Sequence, residues 1–93
     1  EFLYDTDASL LCWDWQDAPT DQQGIPNPAS HPIPLHVHHM LIPYMGMPII
    51  DNADLEDISR ACAEAGRWSF QFVCAPLVVP WGTGSPVNPL AVL

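Results

Sequence analysis

Ninety-three residues, 48% of them hydrophobic, with four Trp and only 14% charged, have the composition of a globular interior and not of a disordered chain. Eleven acidic residues stand against two arginines, Arg60 and Arg67, with no lysine and a net charge of −9. No basic patch can form, which argues against nucleic-acid or anionic-membrane partners.

A chain of this length makes one domain at most and buries only about 60–65% of its unfolded surface, so its core is expected to be thin. Cysteines at positions 12, 62 and 74 are odd in number and show no CxxC spacing. Reduced thiols in a cytoplasmic setting are the expectation. No apolar run approaches the ~20 residues of a membrane span. The start, EFLYDTD, is acidic, has no initiator Met and does not resemble a signal peptide. The expectation is a chain that begins in mid-protein, truncated at its N-terminus.

In chain order, residues 8–16 (ASLLCWDWQ) form an apolar and aromatic run flanked by acids, read as a buried strand. Residues 17–35 are polar and carry five prolines, which predicts a long loop and excludes a helix. Loops beyond ~12–15 residues are commonly functional. The run from 36 to 44 (HVHHMLIPY) predicts a short helix closed near Gly46, with Pro43 to be accommodated. PIID at 48–51 reads as a short buried strand.

Asp54 offers an N-cap, and Glu56 and Asp57 suit the first turn of a helix over 54–65. Leu55, Ile58, Ala61, Cys62 and Ala65 share one face of it, and Gly66 supplies the stop. Residues 68–74 (WSFQFVC) alternate and read as a strand that Leu77, Val78 and Val79 extend. GTGSP at 82–86 is a turn, and LAVL at 90–93 a last strand. The order is α/β without internal repeat, and the strands are too few for a complete sheet.

Four His in nine residues (His31, His36, His38 and His39) are the least random feature of the chain. Neutral imidazole ligates zinc and similar ions, and Asp51 follows as a carboxylate companion. The imidazoles of HVHH cannot all point one way on a helix or strand. Spacing supplies two ligands where a zinc site needs three or four, so incidental surface polarity stands beside the metal-ligating reading. GTGSPVNP lacks the Lys and following helix of a phosphate loop, and a tight turn is its plainer role. Ser85 has no adjacent base and is not a candidate nucleophile. The three cysteines read as core residues. Trp13, Trp15 and Trp81 are candidates to line a substrate pocket, with buried packing the plainer role for each.

Taken together, HHMLIPYMGMPIIDNADLEDI and FQFVCAPLVVPWGTGSPVNPLAVL resemble the C-terminal part of the cyclase family, which includes bacterial kynurenine formamidase and isatin hydrolase. Members often show a His, a Leu-rich turn, Gly, a short apolar strand and Glu-Asn-Leu before a helix. They end with an apolar strand, Ala-Pro-Leu and a Gly-Thr-Gly-Ser-Pro turn. The resemblance runs from about His38 to Leu93.

It implies a partial swivelling β/β/α domain over residues 1–93 and metal-dependent hydrolysis of an aryl or cyclic amide, such as N-formylkynurenine, by a full-length parent. It also implies zinc or manganese as cofactor, a small-molecule amide substrate and association of the parent with copies of itself. The metal ligands it implies here are His38 or His39, according to how the gap to Gly46 is counted, and Asp51. Two departures stand out: Asp51 replaces the family Glu, one methylene shorter, and the family's N-terminal motif of His, Gly-Thr-His, Asp and His is absent from these 93 residues. On its own the fragment is expected to hold metal weakly and to catalyse nothing. The competing expectations are a non-catalytic acidic interaction module with incidental histidines, and a degenerate family member without metal.

Overall fold

The computed structural model describes residues 1–15 and 36–93. The expected proline-rich loop over 17–35, with His31 inside it, lies outside the described residues. The contacts divide the chain into two compact units, Glu1–Asp54 and Leu55–Leu93.

The first unit opens with a single helical turn, α1 (Phe2–Asp5), that the sequence pattern did not announce. The Thr6 hydroxyl bonds back to the Phe2 carbonyl at 2.8 Å and closes the turn. Strand β1 (Leu11–Cys12) then pairs in parallel with β2 (Ile49–Ile50), with Leu11 opposite Ile49 and Cys12 opposite Ile50. The strand expected over 8–16 therefore contributes two ladder residues. The backbone bonds Leu11 N–H to Pro48 C=O and Trp13 N–H to Ile50 C=O frame the pairing at 3.2 and 3.1 Å. The ladder stops where Asn52 takes φ 52°, a left-handed conformation that Asn tolerates better than most residues. The segment at 48–51, expected to be buried, is half-buried at Ile49, Ile50 and Asp51 and exposed at Pro48.

Between the strands, α2 (His36–Met40) runs directly into a π-helical turn over Leu41–Met45. Pro43 lies in this wider turn, which takes a residue that lacks an N–H and whose ring crowds the carbonyl of the preceding helical turn. Gly46, at φ 63°, ends the helix as the sequence predicts, with its N–H on the Ile42 carbonyl and Met47 N–H on the Leu41 carbonyl. Leu41 and Met47, on either side of this ending, are the buried residues among the described residues of the first unit. They anchor the corner that joins the histidine helix to β2.

In the second unit, α3 (Glu56–Ala65) buries Cys62 and half-buries Ile58 and Ala61, on the face that the 3.6-residue spacing predicts, while Ala65, expected on that face, is exposed at the helix end. Its N-cap is Leu55 and not Asp54, and Leu55 makes no side-chain capping bond. Glu56 and Asp57 in the first turn favour the helix electrostatically. Gly66 ends it at φ 61°.

Strand β3 (Gln71–Val73) pairs antiparallel with β4 (Leu90–Val92), Phe72 lying opposite Ala91. Leu77, Val78 and Val79 do not extend β3. The Leu77 N–H is turned to the Ser85 hydroxyl at 3.1 Å, which removes it from any ladder. The expected turn at 82–86 occurs earlier, where Gly82 N–H meets the Val79 carbonyl at 3.0 Å with Trp81 at φ 64°. Pro80 presets the first corner of that turn. Trp81, one candidate for packing, is fully exposed. No helix of the described residues is long and apolar enough to cross a membrane.

Gly46 has no atom within 4 Å of where a Cβ would stand, so only its left-handed backbone demands glycine. Gly46→Ala is expected to lower stability by about 1–2 kcal/mol through backbone strain alone. Urea denaturation followed by circular dichroism checks this, with the m-value expected to stay constant.

Candidate metal centre

The register of β1 on β2 carries one step beyond the paired residues. After Cys12 and Ile50 come Trp13 and Asp51, so both side chains leave the ladder at the same level. The Trp13 indole N–H donates to Asp51 Oδ1 at 2.6 Å. The backbone repeats the link: Ala53 N–H donates to the Trp13 carbonyl at 2.9 Å, and Asn52 N–H to the Trp15 carbonyl at 3.1 Å. Asp51 is thus held through its own side chain and through the two residues that follow it.

Helix α2 supplies the third member. His38 Nε2 lies 2.8 Å from Asp51 Oδ2. An ionised carboxylate only accepts, so Nε2 carries the proton in this pair. The side chains are 18% and 27% exposed, which shields them more than an ordinary surface pair whose value is close to zero. Each oxygen of Asp51 therefore has one donor, the indole on one side and the imidazole on the other.

The other candidates are placed differently. His39, one residue on, is exposed. Consecutive helix positions diverge by about 100°, which separates the two imidazoles and puts His38 alone at Asp51. Trp15, expected to pack or to line a pocket, is 64% exposed and accepts the Asn52 N–H at its backbone carbonyl. Cys62 is buried as expected of a core thiol, while Cys12 and Cys74 are half-buried, and none of the three is in a disulfide. The functional role that the sequence pattern missed is that of Trp13 as a donor to Asp51. The signal for it was present in the matched doublets of LLCW and PIID: once LC lies against II, W and D must follow side by side.

Chemically, one imidazole nitrogen and one carboxylate oxygen at close range match two positions of a zinc or manganese site. Two ligands on a tetrahedral ion at its usual bond lengths stand roughly 3.4 Å apart. The present 2.8 Å separation is that of a hydrogen bond, and an ion would have to displace the Nε2 proton and spread the pair by about half an ångström. The other ring nitrogen, Nδ1, is buried. Among the described residues no group of three or more His, Cys, Asp or Glu could hold a metal ion. The pair fits two ligands of a set and does not complete one.

Trp13→Phe keeps the ring and removes the donor. It is expected to lower stability by about 1–2 kcal/mol, the range for a hydrogen bond to a charged group discounted for partial exposure. In a double-mutant cycle with Asp51→Ala the coupling is expected to exceed about 0.5 kcal/mol; additive losses would show that the indole contributes by packing alone.

Scans of protein-family models, of curated proteins and of solved structures return no match to this chain.

Proposed function

We propose that the chain is part of a metal-dependent amide hydrolase of the cyclase type, arylformamidase-like, in which His38 and Asp51 contribute two of the metal ligands. The observation that carries this proposal is the convergence of His38 and Asp51, thirteen residues apart, on a 2.8 Å contact. A small-molecule amide is the substrate class, and the partial swivelling β/β/α architecture of that family is the proposed setting.

When bound, a divalent zinc or manganese ion would activate water and polarise the amide carbonyl. The residues of this chain then have three tasks. His38 presents Nε2, the ring nitrogen that faces the carboxylate. Asp51 presents Oδ2, and Trp13 holds Oδ1 so that the carboxylate cannot rotate away from the imidazole. Outer hydrogen bonds of this kind orient ligands and raise their basicity. His39 has no task at the site.

A second possibility is favoured by one specific feature. Both oxygens of Asp51 are already engaged by protein donors, which is how a degenerate, metal-free family member would retire its site. The two possibilities differ in a direct measurement. In a longer protein that includes upstream sequence, the enzyme proposal expects stoichiometric zinc or manganese after purification and hydrolysis of N-formyl aryl amides. It also expects His38→Ala and Asp51→Ala each to lower metal affinity at least about tenfold, with His39→Ala within a factor of about two. Absence of a His-rich motif upstream, or absence of bound metal, would overturn the proposal. Melting of the 93-residue chain with and without zinc would then be expected to coincide.

A further inference from the structure

The two donors on Asp51 differ in what they can do when an ion arrives. An imidazole nitrogen carries a lone pair once its proton is gone, so His38 Nε2 can leave Oδ2 and turn to a metal. An indole nitrogen only donates and has no lone pair to offer a cation. Trp13 therefore has no competing role at the site, and Oδ1 is the acceptor of its N–H at 2.6 Å.

The backbone keeps the indole at that oxygen. Trp13 N–H donates to the Ile50 carbonyl at 3.1 Å, and the Trp13 carbonyl accepts from Ala53 N–H at 2.9 Å. Both bonds tie Trp13 to the stretch 50–53 that carries Asp51. The residue is half-buried, and the Asp51 side chain is 27% exposed. A water on Oδ1 would exchange freely with solvent, whereas the indole belongs to a residue fixed on both sides of its own backbone.

A carboxylate grips an ion through one oxygen or through both. To use both, Asp51 would have to free Oδ1 and break a charge-assisted hydrogen bond, one of the stronger kinds in proteins. Binding through Oδ2 alone leaves that bond intact. A one-oxygen carboxylate beside an imidazole suits a four-coordinate zinc ion. Manganese favours oxygen-rich, six-coordinate surroundings and gains from a second carboxylate oxygen.

We propose that Trp13 is a positioning residue that sets metal specificity: by keeping Oδ1 it makes Asp51 a ligand through Oδ2 alone and tilts the site towards zinc over manganese. This rests on the proposed metal site, where the two ions stand level, and separates them. A ring that acted by packing alone would support both ions equally. A donor on Oδ1 penalises only the ion that needs the second oxygen.

The test uses the longer protein that includes upstream sequence, with isotope-labelled tryptophan, loaded with zinc or with manganese. The Trp13 indole proton, assigned by its loss in Trp13→Phe, is expected downfield and slow to exchange before zinc is added, and unchanged in both respects afterwards. In competition titrations Trp13→Phe is expected to lower the preference for zinc over manganese about tenfold, the scale of one hydrogen bond to a charged group. Trp68→Phe, which alters an exposed ring of the second unit, is expected to leave the preference within about twofold. Equal weakening of both ions by Trp13→Phe, with the ratio unchanged, would overturn the proposal. So would a Trp13 indole proton that moves on zinc loading to the position of an exposed indole, because both oxygens would then face the ion. That readout uses the unsubstituted protein and decides the matter even if Trp13→Phe fails to fold. Either result leaves the metal site standing, whereas uptake of neither ion would overturn the site and this proposal together.

Discussion

The Asp51 carboxylate is the point on which the first unit depends. It accepts from an indole on one side and faces an imidazole on the other, and these donors come from β1 and α2, the elements before and after the proline-rich stretch of sequence. A half-buried carboxylate with unmatched oxygens costs free energy, whereas one with a donor on each oxygen does not. Removing either donor therefore leaves the other contact in place and one acceptor less well satisfied. The three side chains also tie together segments whose buried apolar residues, among the described residues, are Leu41 and Met47. Polar contacts carry more of the specification than is usual for a domain with a larger core.

Much of the local structure was legible in the sequence because it rests on short-range chemistry. Gly46 and Gly66 end their helices in the left-handed conformation that only glycine adopts without strain. The face of α3 follows from spacing, and LAVL forms a strand. What failed was the extent of elements, and each failure has a tertiary or capping cause. The strand at 8–16 shrank to two residues because its parallel partner ends at the left-handed Asn52. Leu77 left the ladder for the Ser85 hydroxyl. The helix start moved from Asp54 to Leu55, with acids in the first turn favouring the helix dipole. Exposure was the least legible property: Trp15 and Trp81 read as packing residues, yet a short chain lacks the interior to cover them.

The candidate site was legible in half. His38 and Asp51 stood out by residue type, but spacing alone could not separate His38 from His39, because that choice depends on the rotation of α2 over Asp51. The helix phase puts His38, and not the exposed His39, beside Asp51. Trp13 was hidden for a different reason. Indole is usually assigned by its hydrophobic bulk, and its single donor becomes visible only once a strand register places an acceptor beside it.

The parallel ladder of β1 on β2 has one consequence beyond the site. It spans two residues on each strand, Leu11–Cys12 and Ile49–Ile50, and both neighbourhoods are runs of similar apolar residues, SLLC and MPII. Sliding one strand past the other by a residue would exchange one aliphatic contact for another, so hydrophobicity chooses weakly between alignments. The indole and the carboxylate choose strongly: a slip of one position sends them to opposite faces and leaves both without their partner. The Trp13–Asp51 hydrogen bond is thus the lock that selects one alignment from several of similar greasiness, and the position of His38 at the carboxylate is inherited from that selection.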